Sequence, residues 1–358
     1  MKILLCYYFC TAVPLGRSCA EALRGLGHEV ASFECDVRTP FDRWVIRPAN
    51  KILSNLRIWR DQEFLMRSRW SNLSTRSRGL LRTVREVRPD AVVVMRGASF
   101  LPEVLREIRQ TISPVLAYWW LKGPIKIYPD TVEEVRCCDL LLSTSRRALD
   151  EFRRQVEVPC HYLPLAVDPG IHRRLAVSAA DSQRYDCDVS FVGSWNKERQ
   201  EIIEHLASRT SASLKIWGPG WRKAFSGDGR LAGCVQGAGI YGEQVVKLFN
   251  VARISLNIHT WHGIPSGVNG LAFEVPACGG MAMLEHSEEL SEIYRIGEEV
   301  ESYRSLEELV DKINFLLANP EARRKIAERG YERVQRDHTF ARRMERLTEA
   351  VQDAKTEL

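Results

Sequence analysis

Ser266-Gly-Val-Asn-Gly-Leu-Ala-Phe-Glu-Val-Pro-Ala-Cys-Gly-Gly280 is the stretch around which the chain is organised. It lies between two short apolar runs, residues 254–258 and 281–284. That order predicts a strand, a glycine-bounded loop, a short helix, a tight turn and a second strand. A helix entered through Gly267 and Asn269 has free backbone N–H groups at its positive end, where a phosphate can bind. The stretch predicts either an anion site or an ordinary helix start.

Glu274 lies inside this predicted helix, between the apolar residues Phe273 and Val275. A carboxylate among apolar neighbours needs a hydrogen-bonding partner. Just beyond a phosphate site, it is well placed to accept hydrogen bonds from ribose hydroxyls. The alternative is an ordinary surface glutamate.

The bulk composition indicates a soluble globular protein. The chain has 358 residues, a length that suits two domains, with 45% hydrophobic and 27% charged residues. No apolar run approaches the roughly 20 residues of a transmembrane helix, and residues 1–6 are too short for the apolar part of a signal peptide. We therefore expect a cytoplasmic protein. Its ten cysteines form no paired CxxC set, which favours buried reduced thiols over disulfides or zinc ligands.

Positive charge is concentrated in the first half of the chain. Residues 1–170 carry 26 Lys and Arg against 19 Asp and Glu, and residues 43–88 alone carry 12 against 3. Basic surfaces attract the phosphates of lipid headgroups, nucleic acids or phosphorylated substrates. We expect no nucleic-acid partner, because no recognised binding module is present.

Residues 43–88 form a basic insertion in which apolar residues fall at roughly helical spacing. These residues are Ile52, Leu56, Trp59, Met66 and Trp70, with Arg57, Arg60, Arg67 and Arg69 between them. One interpretation is a helix that packs its apolar side on the domain while the arginines are solvated. The other is a basic, Trp-bearing face that contacts an anionic membrane, at its inner face, or a lipid-linked acceptor.

The first half otherwise alternates strands and helices. A strand at residues 2–9, a helix from Gly16 to about residue 26 and a strand at 30–33 predict a βαβ unit without a GxGxxG fingerprint. Gly16 and Arg17 are therefore assigned to an acceptor side. Continuous apolar strands follow at residues 91–95, 115–120 and 140–144, which is typical of a parallel sheet covered on both faces.

Ligands of such sheets bind beyond the carboxyl ends of the strands. Arg96 and Lys122 lie at two of these ends. We assign Arg96 a catalytic role and Lys122 to the acceptor side.

A second α/β series follows a linker that we place at residues 162–169 and the polar stretch 178–186. Its predicted strands lie at residues 188–192, 214–217 and 254–258. The last predicted helices cover residues 305–317, 320–336 and 339–354, and Ser305 with Glu308 forms a capping-box pattern.

Six short phrases, in the order of the family, resemble the GT-B glycosyltransferases and specifically their CgeB-like (spore-maturation) branch. They cover residues 160–350 well and the N-terminal half loosely. The phrases are Leu163-Pro-Leu-Ala-Val-Asp-Pro169, Val189-Ser-Phe-Val-Gly-Ser-Trp195, Lys215-Ile-Trp-Gly-Pro-Gly220, Ala252-Arg-Ile-Ser-Leu-Asn257, Phe273-Glu-Val-Pro-Ala-Cys-Gly-Gly280, and Arg329-Gly-Tyr-Glu-Arg-Val334 with His338-Thr-Phe340.

The resemblance implies an α/β protein of GT-B architecture, with two Rossmann-like domains whose parallel sheets face a central cleft. Residues 1–170 would be the acceptor-binding domain, with the basic insertion at 43–88. Residues 171–338 would bind a nucleotide sugar, and the helix at 339–358 would cross back to the first domain.

The resemblance also implies the donor site. Glu274 would hold the donor ribose, the backbone of 267–269 the pyrophosphate, and Lys197 or Arg199 would supply positive charge to the phosphates, with no metal. The whole predicted set for a UDP- or GDP-sugar is Gly193, Ser194, Lys197, Arg199, Trp217, Gly218, Tyr241, Ser266, Gly267, Val268, Asn269 and Glu274.

His259 ends the strand before the opening loop and is assigned a catalytic role. It contacts either the donor's sugar or phosphate, or only a loop carbonyl. Its pairing with His262 resembles a metal pair weakly, because no third ligand follows at standard spacing.

The predicted activity is transfer of a sugar from a nucleoside diphosphate sugar to an acceptor hydroxyl, retaining and metal-independent, in the biosynthesis of a glycan, glycolipid or other glycoconjugate. The acceptor is a saccharide, a lipid-linked glycan or another hydroxyl compound. Ser266 stands where related retaining enzymes carry the first glutamate of Glu-x7-Glu, so the usual contact to a sugar hydroxyl is either missing or altered. The alternatives are therefore a nucleotide-sugar-binding protein without transferase activity and a GT-B nucleotide-sugar epimerase.

Overall fold

The computed structural model describes residues 1–8, 14–56, 67–95, 100–122, 127–259 and 267–357. The chain divides into two compact units, Met1–Leu163 with Met344–Leu358, and Pro164–Arg343. It leaves the first unit at Leu163, inside the proline-containing connector 162–169, and its last residues return to that unit. Each unit is built around a six-stranded sheet.

The first sheet is parallel throughout. Its strands are β1 (Lys2–Tyr7), β2 (Glu29–Glu34), β3 (Ala91–Met95), β4 (Val115–Trp120), β5 (Leu140–Ser143) and β6 (Cys160–Tyr162). Their order is β2-β1-β3-β4-β5-β6. Every residue of β3, β4 and β5 is buried, as continuous apolar strands between two helical layers require.

The helices of the first unit connect these strands. They are α1 (Leu15–Gly25), α2 (Arg47–Asn55, after a π-helical turn at Asp42–Ile46), α3 (Asn72–Val87), α4 (Pro102–Thr111), α5 (Pro129–Val135) and α6 (Arg146–Arg153). Helix α5 was not predicted. It is a short segment that begins at Pro129, a favoured first position of a helix.

The basic insertion is more regular than the sequence indicated. Helix α3 occupies its second part and connects β2 to β3, with Leu80 and Val84 fully buried. Its apolar spacing was obscured by the basic residues on the outer side. The idea of one helix from Ile52 to Trp70 is wrong, because α2 ends at Asn55 and Trp70 lies in the turn before α3. Residues 57–66 lie outside the described ranges.

The second sheet has the same parallel form. Its strands are β7 (Val189–Val192), β8 (Leu214–Trp217), β9 (Val235–Gly237), β10 (Ile254–Asn257), β11 (Ala282–Glu285) and β12 (Glu301–Tyr303). Their order is β12-β11-β10-β7-β8-β9. The chain leaves β7 towards β8 and β9 and then returns to β10 on the other side. The switch point between β7 and β10 is the position where open α/β sheets bind their ligands.

The helices of the second unit cover both faces of this sheet. They are α7 (Ala179–Tyr185), α8 (Lys197–Arg209), α9 (Trp221–Ala224), α10 (Gly229–Cys234), α11 (Glu243–Val251), α12 (Leu271–Ala277), α13 (Glu288–Ile293), α14 (Leu306–Ala318) and α15 (Pro320–Asp337). The last helix, α16 (Phe340–Glu357), runs into the first unit, where Lys355 Nζ lies 3.0 Å from Asp90 Oδ1.

The stretch 178–186, predicted as an irregular linker, contains α7. Ser178 begins this helix by accepting a hydrogen bond from the backbone N–H of Asp181. The consecutive polar residues Asp181, Ser182 and Gln183 leave this helix without an apolar pattern in the sequence. The predicted start of α14 is confirmed, since Ser305 Oγ accepts from the N–H of Glu308 at 3.1 Å.

Two further features concern the cysteines and the length of the helices. The nine cysteines within the described residues are free thiols, and seven of them are buried. Among the helices of the described ranges, none combines the length and apolar character that a membrane crossing requires.

Candidate functional site

The candidate site lies at the carboxyl end of β10, beside the switch point of the second sheet. Asn257 ends this strand and is buried. Its side-chain amide exchanges two hydrogen bonds with that of Asn269, at 2.7 and 2.9 Å. This reciprocal pair fixes the loop before α12 to the end of the strand.

The loop before α12 takes a conformation that only glycine adopts easily. Gly267 has φ +85°, in the left-handed region, and its carbonyl accepts a hydrogen bond from Ser287 Oγ at 3.3 Å. Val268 is buried in the core. The loop is thus held from the sheet side, through Asn269, and from the α13 side, through Ser287.

Helix α12 begins immediately after Gly270, and no side chain from the described residues caps it. The Glu274 carboxylate folds back over this first turn, because a Cβ at Gly270 would lie 2.7 Å from Glu274 Oε1. The predicted glutamate therefore lies beside the start of the helix and close to the loop that the resemblance assigns to the pyrophosphate.

Glu274 has no cationic partner among the described side chains. The imidazole of His172 lies beside it, with Nε2 3.8 Å from Glu274 Oε2. Burial raises the pKa of Glu274 to about 7. Burial also lowers the pKa of His172 to about 4, against a smaller opposing effect of Asp168, so this imidazole is neutral at pH 7. The Glu274 carboxylate can therefore accept a hydrogen bond from a bound ligand.

Arg199 and Lys197, which the sequence did not separate, point in different directions. Both lie in the first turn of α8, which Asn196 caps through the N–H of Arg199 at 2.8 Å. The Lys197 side chain is 86% exposed and lies 3.9 Å from Glu201. Arg199 is half-buried and donates to the carbonyl of Ser194 at 2.8 Å and to that of Ile258 at 3.2 Å. Arg199 therefore lies at the strand ends, whereas Lys197 does not.

The predicted loop after β7 packs closely on the turn after β8. The N–H of Gly193 donates to Trp217 O at 2.9 Å, and its carbonyl accepts from Trp221 Nε1 at 2.8 Å. A Cβ at Gly218 would lie 1.9 Å from Gly193 O, so only glycine fits there. Ser194 is exposed.

Two aromatic residues of the predicted set have opposite surroundings. The indole of Trp217 is buried in the core and lies 6.1 Å from the ring of Tyr185, so only its backbone reaches the edge of the sheet. Tyr241 is 62% exposed, so its ring lies at the surface.

His259 follows β10 and is buried. Its backbone N–H donates to the carboxylate of Glu285, at the end of the neighbouring strand β11, and lowers the pKa of that carboxyl against the larger, raising effect of burial. The structure thus shows His259 anchored by its backbone at the strand ends.

The predicted residues of the first unit are less informative. Gly16 is buried in α1, where a Cβ would lie 2.2 Å from the ring of Tyr7, so it permits close packing of this helix on β1. Arg17 is exposed. Lys122 follows β4, with its Nζ 5.5 Å from the centre of the Trp120 ring. The remaining predicted residues, Arg96, His262 and Ser266, lie outside the described ranges.

Three residues of this region were missed by the sequence analysis, namely His172, Glu285 and Tyr303. Glu285 ends β11, so the rule that ligands bind at strand ends would have identified it. Tyr303 ends β12, a strand that was not predicted. His172 has no local signal, because its position beside Glu274 depends on the tertiary fold.

The described ranges also bear on metal binding. They contain no group of three or more His, Cys, Asp or Glu side chains arranged to hold a metal ion. The site offers the carboxylate of Glu274, the guanidinium of Arg199 and a loop that is anchored by the side-chain amides of Asn257 and Asn269.

These parts meet at consecutive residues of one strand end. Asn257 holds the loop that leads to α12 and Glu274, and the next residue, Ile258, holds Arg199 through its carbonyl. A carboxylate accepts from hydroxyls, and a guanidinium donates to phosphate oxygens. This edge of the sheet can therefore bind a ligand that carries both hydroxyl and phosphate groups.

Comparisons with known proteins bear on the family and the fold of the chain. Residues 173–349, just under half of the chain, match a family model described as glycosyl transferase-like. A search of curated protein sequences finds no match. Sucrose-phosphate synthase from Thermosynechococcus elongatus has a similar structure, with a TM-score of 0.70, 14% identity and coverage of 100% of both chains.

Two further solved structures are similar over nearly the whole chain. HepE from Anabaena, in complex with UDP, has a TM-score of 0.66 at 13% identity and covers 99% of this chain and 100% of its own. A proposed UDP-N-acetylglucosamine 2-epimerase from Listeria monocytogenes has a TM-score of 0.60 at 11% identity, with 100% and 97% covered. With its two six-stranded parallel sheets and their helices, the chain has the GT-B fold of these glycosyltransferase structures.

Proposed function

We propose that this protein is a glycosyltransferase that moves a sugar from a UDP- or GDP-sugar to an acceptor hydroxyl. The observation that carries the proposal is the pairing of Glu274 and Arg199 around one strand end, through Asn257 and Ile258. The glycosyl transferase-like match over residues 173–349 and the UDP complex of Anabaena HepE support it.

The proposed roles follow from the chemistry of a departing nucleoside diphosphate. Its phosphates gain negative charge as the glycosidic bond breaks, and fixed positive groups stabilise that charge. Arg199 supplies such a group, and Glu274 orients the nucleotide by accepting from the ribose hydroxyls. We assign this task to side chains rather than to a metal, and a retaining course to the transfer. The CgeB-like subfamily stays a prediction.

A panel of nucleotide sugars tests the proposal. Incubation with UDP- and GDP-sugars, with and without saccharide acceptors, is expected to release nucleoside diphosphate, and to release it faster when an acceptor is present. Added EDTA is expected to leave the rate unchanged. Binding without any release would favour a nucleotide-sugar-binding protein, the alternative that Ser266 suggested.

The similarity to the proposed Listeria 2-epimerase supports epimerisation of a nucleotide sugar as the alternative activity. An epimerase interconverts one nucleotide sugar with another and needs no acceptor. Analysis of the recovered nucleotide sugar therefore separates the two activities: a changed sugar on an intact nucleotide would contradict the transferase.

Arg199→Met is expected to weaken the binding of nucleoside diphosphate roughly tenfold, or about 1.4 kcal/mol, because it removes a charge-assisted contact. Lys197→Met is the matched control from the same helical turn. Its exposed ammonium should change the affinity less than about twofold. Calorimetry with nucleoside diphosphate measures both, and the reverse order of effects would reassign the phosphate contact to Lys197.

The basic Trp surface of the first unit, made of Arg43, Trp44, Arg69 and Trp70, supports an acceptor at an anionic membrane. Trp44 is 70% exposed and Trp70 57% exposed, each with its neighbouring arginine close to the ring, at 5.0 and 5.3 Å. Exposed Ile52 and Leu56 extend the apolar area along α2. The exposure of Ile52, Leu56 and Trp70 supports the second interpretation over packing of this side on the domain.

Amphipathic indoles beside arginines suit the interface of a membrane that contains anionic lipids. We therefore propose a lipid-linked acceptor and peripheral contact with the inner face of the membrane. The contact needs no membrane-spanning segment, because apolar burial in the headgroup region and attraction to anionic lipids supply the binding.

Trp44→Ala combined with Trp70→Ala is expected to lower binding to vesicles that contain phosphatidylglycerol at least about threefold, since two interfacial anchors are lost. Phe315→Ala, which removes an exposed aromatic ring of the second unit, is the control and should bind as the native protein does. Cosedimentation measures both. Equal binding of native protein and double variant would remove the membrane from the proposal.

A further inference from the structure

Three polar side chains at the ends of neighbouring elements face one another with unmet hydrogen-bonding atoms. Glu285 and Tyr303 are opposite each other in the parallel pairing of β11 with β12, so their side chains emerge on the same face of the sheet. Arg199 reaches this region from the start of α8. The buried atoms Arg199 Nε, Glu285 Oε2 and Tyr303 OH find no hydrogen-bond partner among the described residues.

The other hydrogen-bonding groups of Arg199 and Glu285 already have partners. Arg199 donates through Nη1 to Ser194 and through Nη2 to Ile258. Glu285 accepts from the backbone N–H of His259. The described residues contain no ion pair between Arg199 and Glu285 within 4.0 Å, so a gap separates them. Buried polar atoms are rarely left unmet in native proteins, and an ordered water commonly fills such a gap.

Electrostatics couples the three groups across this gap. Burial lowers the pKa of Arg199, while the carboxylates of Glu285 and Glu198 and the Tyr303 hydroxyl raise it. Burial also raises the pKa of Glu285, against the lowering effects of the His259 N–H and of Arg199, and Glu198 raises it further. The carboxylate thus lies in the field of Arg199 without a direct bond to it.

We infer that Glu285 tunes the charge of Arg199, so that the site holds the phosphates of a nucleoside diphosphate less tightly than an unopposed guanidinium would. The Glu285 carboxylate offsets part of the guanidinium charge across the buried gap that also contains the unmet Tyr303 hydroxyl. This inference rests on the proposed function, in which Arg199 contacts the phosphates. Glu285 is a positioning and charge-tuning residue, because it acts through Arg199 and not on the substrate.

The expected benefit is release of the product. A nucleoside diphosphate carries more negative charge after the sugar has left than before, so an unopposed arginine would retain it. A buried carboxylate near the arginine lowers the net positive charge that the phosphates meet, and the resulting loss of attraction grows with the number of phosphates. The effect should therefore be largest for the diphosphate, smaller for the monophosphate and absent for the nucleoside.

Glu285→Gln tests the inference, since glutamine keeps the size of the side chain and an oxygen for the His259 N–H. Affinities for uridine, UMP and UDP, and for the guanosine series, are measured by calorimetry. We expect UDP or GDP to bind about three- to tenfold more tightly to the variant, with a smaller gain for the monophosphate and none for the nucleoside. A residue with only a structural role would weaken all three.

Two further variants complete the experiment. Glu301→Gln, on the strand next to Glu285, removes a carboxylate that binds Lys312 Nζ at 2.9 Å, and should leave all affinities unchanged. Glu285→Thr removes the same charge with a β-branched residue suited to a strand end. It should show the same gain in diphosphate affinity, and it replaces the glutamine variant in the test if that variant does not fold.

The outcomes separate this inference from the proposed function. A native protein that binds no nucleoside diphosphate overturns the proposed function. Binding by the native protein, with equal or weaker diphosphate affinity in the folded Glu285 variants, overturns the inference alone. So does an equal gain for the nucleoside, since a phosphate effect cannot produce it.

Discussion

Replacing Arg343 by methionine is expected to lower the free energy of unfolding of the second unit by about 3–5 kcal/mol. Arg343 is fully buried. Its Nε donates to Pro164 O and Leu165 O, at 3.0 and 3.2 Å, and Nη1 donates to Asp337 O at 3.0 Å. Nη2 donates to His338 Nδ1 at 2.8 Å. Methionine removes the donor from two buried acceptors, Pro164 O and His338 Nδ1, and from two half-buried carbonyls, and each unmet buried group costs about 1–3 kcal/mol.

His338, which accepts a hydrogen bond from Arg343, is a buried neutral histidine. Its Nδ1 accepts from Arg343, and its Nε2 lies 3.2 Å from Ile293 O, which assigns the single ring proton to Nε2. Burial, followed by Arg343 and Arg333, lowers its pKa to about 3. A histidine with a lowered folded-state pKa contributes stability above its ordinary pKa of 6.5, and this is lost as the pH falls towards about 3. We therefore expect the native unit to lose stability below about pH 6.

Urea unfolding followed by circular dichroism measures the effect of Arg343→Met. Arg346→Met is the same change at an exposed position of α16 and should alter the free energy of unfolding by less than about 0.5 kcal/mol. Arg343→Lys keeps the charge with fewer donors and should lie between the two. A methionine variant as stable as the native protein would show that the buried guanidinium is not needed.

The sequence predicted the central strands well and missed two edge strands, β6 and β12, for a physical reason. Strands such as β3 and β4 are buried on both faces and read as unbroken apolar runs. Strands β6 and β12 have three residues each, with the sequences Cys-His-Tyr and Glu-Ser-Tyr. Such short edge strands are defined by their neighbours, and no local pattern marks them.

The candidate site divides in the same way. Glu274 and Asn269 could be identified because the loop, the helix start and the carboxylate are adjacent in the sequence. Lys197 and Arg199 share a helical turn, so only the direction of their side chains separates them. Glu285 comes near Arg199 only through the order of the strands, and this could not be read from the chain.

Replacing Glu274 by alanine is expected to weaken the binding of nucleoside diphosphate by about 1–3 kcal/mol, provided that the carboxylate holds the ribose. The 2′-deoxy nucleotide isolates this contact. The native protein should prefer the ribonucleotide, and the variant should lose most of that preference. Glu298→Ala removes an exposed carboxylate of the same unit and is the control. Unchanged affinity of Glu274→Ala in calorimetry would remove the ribose contact.

The same carboxylate should make binding and stability depend on pH in opposite ways. Burial raises the pKa of Glu274 from 4.5 to about 7. Ribose hydroxyls donate to the ionised form, so affinity should rise as the pH increases through about 7, with release of a proton. Stability behaves inversely, because a raised folded-state pKa favours the protonated form. The stability that protonated Glu274 contributes is complete below pH 4.5 and is lost as the pH rises through about 7.

Glu274→Gln separates these effects from the titration of the nucleotide itself, which the variant retains. Its affinity should follow only the phosphate's own titration, and it should be more stable than the native protein near pH 8 but not near pH 4. The shift in pKa limits this gain to about 3 kcal/mol. Calorimetry across this range, with thermal unfolding at its ends, measures both. Parallel pH profiles of native and variant protein would mean that Glu274 does not titrate near neutrality, and the ribose contact would then need a carboxylate that is already ionised.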